Sequence, residues 1–111
     1  MDVSIILLTC NSGDTISECI DYIDISIKES KLLCELIIVD ANSLDNTLSI
    51  LKKKAIHTEI ISTEINDRSY SFNEGVSKAT GKYICRVDSR SLLPKEHIIK
   101  CKTPFALHVL S

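Results

Sequence analysis

The sequence predicts an α/β protein with an open, mostly parallel sheet and flanking helices. Short β-branched apolar segments alternate along the chain with segments whose apolar residues recur at helical spacing. The apolar segments are hydrophobic at nearly every position, which is typical of strands covered on both faces. With 111 residues, 44% hydrophobic and 25% charged, the chain has the bulk of one small globular domain.

The first strand is predicted at residues 3–8, followed by a polar break at residues 9–13. The next segment has one apolar helical face, made of Ile16, Ile20, Ile23 and Ile27. Asp14 or Thr15 is placed to cap this helix, and Glu18 stands three residues after Thr15 as in a capping box.

The second strand is predicted at residues 36–39 and ends at Asp40, with a turn at residues 41–43. Ser43 or Asp45 is placed to cap a second helix, and lysines at residues 52–54 suit its carboxyl end. The predicted apolar face of this helix consists of Leu44, Leu48, Leu51 and Ala55.

A third strand is predicted at residues 58–62 and a fourth at residues 82–87, directly before Asp88. Ser71 and Glu74 between them form a second capping-box pattern, and Gly81 is placed to end the helix. The apolar face of that helix is predicted to contain Phe72, Val76 and Ala79.

Composition excludes several classes of function. Thirteen basic and fifteen acidic residues give a formal charge of −2, so no basic surface for nucleic acid is expected. The apolar run at residues 5–8 is far shorter than the ~20 residues that span a bilayer. It follows Asp2 rather than lysines and precedes no small-residue cleavage site, so we do not expect it to be a secretory signal. We therefore expect a cytoplasmic protein without a transmembrane segment, acting in the cytosol or at the inner face of the membrane. The five cysteines form no C-x-x-C pair and are expected to be reduced, and the three scattered histidines do not indicate a metal site.

Polar residues follow all four predicted strands, at the edge where ligands bind in such sheets. They are Thr9, Asn11, Asp40, Asn42, Ser43, Asp45, Arg68, Asn73, Asp88, Ser89 and Arg90. Taken singly, Asn11, Ser43 and Asp45 are better explained as ordinary turn and capping residues. Asp40 and Asp88 directly end buried strands, where an unpaired carboxylate is costly; a structural ion pair of Arg86 with Asp88 is the alternative to a functional role.

Four ordered segments resemble the motifs of family 2 glycosyltransferases. They are residues 3–11 with Thr9-Cys10-Asn11, residues 35–47 with Asp40-Ala41-Asn42-Ser43-Leu44-Asp45, residues 73–84 with Asn73-Glu74-Gly75, and Arg86-Val87-Asp88-Ser89-Arg90. Residues 86–101 are similar to the subgroup that builds bacterial exopolysaccharides such as succinoglycan.

The resemblance implies a GT-A fold that binds a nucleotide-diphosphate sugar, usually with Mg²⁺ or Mn²⁺, and transfers the sugar with inversion to a polysaccharide or lipid-linked acceptor. It implies that Thr9, Cys10, Asn11 and Asp40 line the nucleoside pocket and that Asp88 lies at the diphosphate beside the metal. Asn42, Arg68, Asn73 and Arg90 complete the expected substrate-binding set. No catalytic residue is assigned.

Three departures from the family pattern qualify these expectations. Ala41 replaces a frequent second aspartate, and Arg90 replaces the second aspartate of a D-x-D motif, where a guanidinium cannot ligate a metal. The third departure is length, because the family's acceptor segment and catalytic base lie downstream of the D-x-D position, where this sequence has only residues 91–111. Residues 1–101 are therefore expected to form the nucleotide-sugar-binding half of a transferase domain, and residues 102–111 an atypical tail. Such a half is expected to lack the acceptor segment and catalytic base, to be inactive alone, and to self-associate through exposed sheet.

Other functions remain open from the residues. A non-catalytic remnant or binding module would use the same polar residues only for folding or pairing. A phospho-accepting receiver domain with Asp40 as acceptor is disfavoured because the first strand does not end in acidic residues. Dinucleotide binding and P-loop hydrolysis are disfavoured because no Gly-rich phosphate loop follows that strand.

Overall fold

The computed structural model of the protein describes residues 2–53, 59–88 and 107–110. Its elements are β1 (Val3–Thr9), α1 (Ile16–Ser30), β2 (Cys34–Ala41), α2 (Thr47–Lys53), β3 (Glu59–Thr63), α3 (Arg68–Lys78), β4 (Tyr83–Asp88) and β5 (Leu107–Leu110). The strands form one sheet in the order β3-β2-β1-β4-β5, and every neighbouring pair is parallel. The predicted open parallel sheet with flanking helices is confirmed; β5, within the expected tail, is a strand that the sequence did not predict.

The central strand β1 is buried along its whole length because both faces of the sheet are covered. Alternate side chains of a strand point to opposite faces, so β1 contributes to two cores. Ile5 and Leu7 pack with the apolar face of α1 and with Leu51 of α2, whereas Ile6 and Leu8 lie on the α3 face. The three helices thus hold both sides of the sheet and leave its carboxyl edge to the loops.

Gly75 allows α3 to pack closely on the sheet. A Cβ atom at this position would lie 2.4 Å from Cγ2 of Ile6 and 3.3 Å from Cγ2 of Val39. Phe72 and Ala79 pack on the same core as predicted, whereas Val76 is 37% exposed and does not belong to that face.

Both predicted capping boxes are wrong. Thr15 is the N-cap of α1 but makes no side-chain capping hydrogen bond; the Ser12 carbonyl accepts from the N–H groups of Thr15 (3.0 Å) and Ile16 (2.8 Å) instead. Helix α3 begins three residues before Ser71 and is capped by Asp67, whose carboxylate accepts from the Tyr70 N–H at 3.0 Å. Ser71 is therefore a buried residue inside the helix.

Two further expectations about helix ends are corrected. Leu44 is 86% exposed and precedes α2, so it is not part of the apolar face of that helix. Helix α3 ends at Lys78 with Ala79 as its C-cap, so Gly81 does not end the helix. Gly81 is instead required where the chain passes β1, because a Cβ there would lie 2.6 Å from the Ser4 backbone nitrogen.

Cys10, Cys19, Cys34 and Cys85 are reduced and form no disulfide bond with one another. Ala55 and Cys101 lie outside the described residues, as do two of the three histidines. No group of three or more His, Cys, Asp or Glu residues able to hold a metal ion is found in the described ranges. In the same part of the chain, none of the helices has the length and apolar character needed to cross a membrane.

Candidate functional site

Two loops meet at the carboxyl edge of the sheet: the β1–α1 turn (residues 10–15) and the β2–α2 turn (residues 42–46). They meet because β1 and β2 are parallel neighbours that end together, with Thr9 opposite Asp40 in the register. Among the predicted site residues, Thr9, Cys10, Asn11, Asp40 and Asn42 are brought together here.

Asp40 is fully buried, and both of its carboxylate oxygens are engaged within the protein. Oδ1 accepts hydrogen bonds from the hydroxyls of Thr9 and Ser43, each at 2.6 Å. Oδ2 accepts from the Ser43 backbone N–H at 3.0 Å. These three donors compensate for burying the charge, and they join the end of β1 to the β2–α2 turn.

The β2–α2 segment also binds three consecutive backbone N–H groups of the β1–α1 turn, at residues 11–13. Their acceptors, in order, are the hydroxyl of Ser43 (2.9 Å), the hydroxyl of Thr47 (2.8 Å) and Oδ2 of Asp45 (3.0 Å). A phosphate-binding loop after the first strand needs such N–H groups free for its ligand. This turn is therefore not a phosphate cradle of the dinucleotide-binding or P-loop kind.

Asp45 is held as a carboxylate by its neighbours. The hydroxyl of Thr47 donates to Oδ1, and the Thr47 backbone N–H donates to the same oxygen at 3.0 Å. These hydrogen bonds, together with the one from Gly13, keep the pKa of Asp45 below its usual range. Asp45 thus accepts from the N–H of the first α2 residue, although it stands two residues before the helix rather than at the N-cap position.

Two asparagines in left-handed backbone conformation shape the exposed side of the loops. Asn11 has φ 47° and Asn42 has φ 49°, values that asparagine tolerates better than most residues. The Oδ1 atom of Asn11 accepts from the Leu44 N–H at 2.7 Å. Both asparagines are exposed, and beside them the half-buried Cys10 thiol donates to the Ala41 carbonyl at 3.2 Å.

Arg68 and Asn73 lie on α3, which follows β3 and so begins at the same edge of the sheet. Both are exposed. They are separated by five residues, which places them about 140° apart around a helix of 3.6 residues per turn. The structure therefore brings Arg68 to the edge at the first turn and puts Asn73 on a different side of the helix.

Asp88 ends β4, and its backbone is opposite Leu8 in the register, next to the end of β1. The side chain of Asp88 and all of Ser89 and Arg90 lie outside the described residues. Arg86 places its guanidinium carbon 5.2 Å from the centre of the Phe72 ring, a cation–π contact.

Sequence reasoning did not identify Gly13 and Thr47 as parts of this site. A Cβ atom on Gly13 would lie 2.0 Å from Oδ1 of Asn46 and 2.9 Å from Oδ2 of Asp45, so a larger residue here would displace these two side chains. A glycine in the first polar break and a threonine two residues after an acidic cap were the available signals.

Comparison with known proteins assigns the family. The model of glycosyl transferase family 2 matches residues 4–106. The poly(ribitol-phosphate) beta-glucosyltransferase of Bacillus spizizenii is 33% identical over 105 residues, which are 90% of this chain and 16% of that protein. EpsE of Bacillus subtilis, named as a glycosyltransferase, is 37% identical over 95 residues, which are 81% of this chain and 33% of that protein. The chain thus spans a third or less of the length of these relatives.

Solved structures agree with this assignment. S. aureus TarS (residues 1–349) matches with a TM-score of 0.78 at 25% identity, over 90% of this chain and 31% of the TarS chain. TarS in complex with UDP-GlcNAc matches with the same TM-score at 26% identity, over 90% of this chain and 30% of that one. The mannosyltransferase PcManGT of Pyrobaculum calidifontis, solved with GDP-Man and Mn²⁺, matches with a TM-score of 0.79 at 22% identity, over 89% of this chain and 30% of that one; this likeness concerns the fold.

The motifs at the strand ends, the parallel sheet that brings them together and the match along nearly the whole chain agree. The fold is that of the GT-A glycosyltransferases, and the protein belongs to glycosyl transferase family 2.

Proposed function

We propose that the chain binds a nucleotide-diphosphate sugar at the carboxyl edge of its sheet, for inverting transfer of the sugar to a saccharide or lipid-linked acceptor. The observation that carries the proposal is that the turns after β1 and β2 are joined by hydrogen bonds at one edge of the sheet. The chain belongs to family 2, and its fold matches that of TarS with bound UDP-GlcNAc. Exopolysaccharide synthesis is the proposed setting, on the resemblance of residues 86–101 to the subgroup that builds such polymers. Residues 1–101 are the proposed donor-binding unit.

The proposed contacts divide the site residues into two groups. Cys10, Asn11 and Asn42 are at the open side of the two turns and are the proposed contacts of the nucleoside. Thr9 and Asp40 support these contacts from within, since the carboxylate of Asp40 is buried and fully hydrogen-bonded.

The diphosphate requires positive charge from elsewhere, because the N–H groups of residues 11–13 are already bound. Arg68 begins α3 at the same edge, and Arg90 follows β4; arginine suits bidentate phosphate contacts. Asn73 lies on a different side of α3 from Arg68 and is proposed as a separate, neutral contact of the donor.

A divalent cation fits this arrangement only with help from the substrate. The described residues contain no group of three or more metal-ligating side chains, and both oxygens of Asp40 are engaged. Mg²⁺ is often held by one or two carboxylates together with substrate phosphates, and Asp88 at the end of β4 is the proposed carboxylate. When bound, such an ion would neutralise charge on the leaving diphosphate.

In the proposed reaction, the acceptor hydroxyl oxygen forms a bond to the anomeric carbon on the face opposite the diphosphate. The bond from the anomeric carbon to the diphosphate oxygen breaks, and the hydroxyl proton passes to a base. No residue of this chain is assigned as that base.

Isothermal titration calorimetry of the chain with UDP-GlcNAc, UDP-glucose and GDP-mannose, each with and without Mn²⁺, tests the proposal. We expect saturable binding of at least one donor, weakened by Arg68→Ala and by Asn42→Ala. The matched control is Ser77→Ala on α3, whose exposed hydroxyl donates only to the Glu74 carbonyl at 2.6 Å. Absence of binding across the panel by the folded chain would overturn the proposal and favour a non-catalytic binding module.

A further inference from the structure

We propose that Ser43 and Thr47 are positioning residues, whose hydroxyls hold the β1–α1 turn in the conformation that receives the nucleotide. This inference rests on the proposed function and adds to it two residues that do not contact the substrate. It follows from two arrangements of the same kind, each of which joins a carboxylate, a hydroxyl and a backbone N–H group.

In the first arrangement, the Ser43 hydroxyl donates to Asp40 and accepts from the Asn11 N–H, at 2.6 and 2.9 Å. In the second, the Thr47 hydroxyl donates to Asp45 and accepts from the Ser12 N–H at 2.8 Å. We call each arrangement a carboxylate–hydroxyl relay. The two relays thus hold adjacent residues of the β1–α1 turn, one from the β2–α2 turn and one from the first residue of α2.

The carboxylate decides the orientation of each hydroxyl. A hydroxyl has one proton, and once that proton is bound to Asp40 or Asp45 only its lone pairs remain for the turn. The hydroxyl can then accept from a backbone N–H but cannot donate to a carbonyl. The two relays are therefore compatible with only one conformation of residues 11 and 12, in which Asn11 has its left-handed φ of 47°.

Burial strengthens the second relay. Thr47 is 0% exposed and Ser12 is 3% exposed, so water does not replace the hydrogen bond if the hydroxyl is lost. A turn that is ordered before the ligand arrives removes an ordering cost from binding. The affinity of the site should thus depend on Thr47 although its hydroxyl is enclosed by protein.

Thr47→Val tests this inference because valine keeps the shape of threonine and removes the hydroxyl. We expect the Kd for UDP to rise about fivefold, the effect of losing one hydrogen bond of average strength. Backbone amide exchange of Ser12, measured by NMR, should accelerate in the same variant. Thr47→Ser retains the relay and should restore both values.

The control is Ser30→Ala at the far end of α1, where the hydroxyl donates to the Ile27 carbonyl at 2.7 Å and accepts from the Leu32 N–H at 3.1 Å. This variant loses comparable hydrogen bonds and should leave both the Kd for UDP and the exchange of Ser12 unchanged. A general loss of stability would affect both variants alike.

The outcomes separate the inference from the proposed function. Faster Ser12 exchange and weaker UDP binding in Thr47→Val, both restored in Thr47→Ser, support the inference. An unchanged Kd or unchanged exchange in Thr47→Val, with UDP still bound by the wild type, overturns it and leaves the proposed function standing. If the wild type binds neither UDP nor any donor of the panel, the proposed function fails and the inference fails with it.

Discussion

Glu35 connects three elements at the amino edge of the sheet, far from the candidate site. It is 6% exposed on β2, and its Oε2 atom accepts from the Ser4 hydroxyl, from the Thr80 N–H at 2.6 Å and from the Thr80 hydroxyl at 2.9 Å. The Ser4 hydroxyl in turn accepts from the Gly81 N–H at 2.8 Å. One carboxylate thus fixes the chain between α3 and β4 against the starts of β1 and β2.

Glu35→Gln should destabilise the fold measurably. Hydrogen bonds to a charged group contribute about 1.5–3 kcal/mol each, against about 1 kcal/mol for neutral ones. Glu35→Gln weakens three such bonds, but burying a neutral amide costs less than burying a carboxylate, which offsets part of the effect. We therefore expect the free energy of unfolding to fall by about 2 kcal/mol at pH 7. For a domain of this size the loss corresponds to a melting temperature lower by roughly 10 °C.

The loss should depend on pH. Burial raises the pKa of Glu35, but the hydrogen bonds from Ser4, Thr80 and Gly81 outweigh it and hold this pKa below the ordinary value of 4.5. A carboxylate with a lowered folded-state pKa contributes stability that is complete above its unfolded pKa and is lost as the pH falls through the folded value. The difference between wild type and Glu35→Gln should therefore shrink in acid.

Urea unfolding of both proteins at pH 7 and at pH 3 measures this difference. Glu59→Gln on β3 is the control, because Glu59 is exposed and its loss should change stability little at either pH. The reasoning is refuted if Glu35→Gln costs the same free energy of unfolding at both pH values, or costs nothing at pH 7.

Three further changes test the packing. Gly81→Ala places a Cβ 2.6 Å from the Ser4 backbone nitrogen, and since backbone cannot move aside cheaply we expect a loss of about 3 kcal/mol in urea unfolding; a neutral result would contradict the close approach. Gly75→Ala meets the Ile6 side chain at 2.4 Å, and its expected cost of about 1–3 kcal/mol should be relieved by Ile6→Val in a double-mutant cycle, whereas strict additivity would argue against the contact. Asp67→Ala removes the cap of α3 and should cost about 1 kcal/mol, restored by Asp67→Asn; equal stability of all three proteins would show that the cap is not used.

Helix starts show where local sequence patterns fail. Thr15 with Glu18 and Ser71 with Glu74 have capping-box spacing, yet α1 begins from a backbone carbonyl and α3 begins a turn earlier at Asp67. A capping interaction stabilises a helix by about 1 kcal/mol, which is less than the contribution of tertiary packing. Asp67 meets the same chemical requirement from a position that the spacing rule did not select.

In the candidate site, too, the sequence indicated some features and not others. The sequence indicated that Asp40, Asn42 and Asn11 would gather at one edge, because parallel strands bring their carboxyl ends together. It did not indicate that Asp40 would be enclosed, or that Thr47 would bind a turn 35 residues away rather than serve only its own helix. Hydroxyl and carboxylate side chains can hydrogen-bond either within their own helix or turn or to a distant segment. Spacing along the chain does not distinguish these two roles.

The sequence by itself determined the fold class, the order of strands and helices through β4, and the family, since hydrophobic periodicity and ordered motifs are properties of local segments. Only the tertiary structure decided which polar groups form hydrogen bonds within the protein and are therefore not available to a ligand. The N–H groups of residues 11–13 are bound by side chains from the β2–α2 segment, and the close passage of Gly13 and Gly81 depends on chains that are distant in sequence. Those pairings depend on distances between separate segments in the packed molecule, which no local pattern contains.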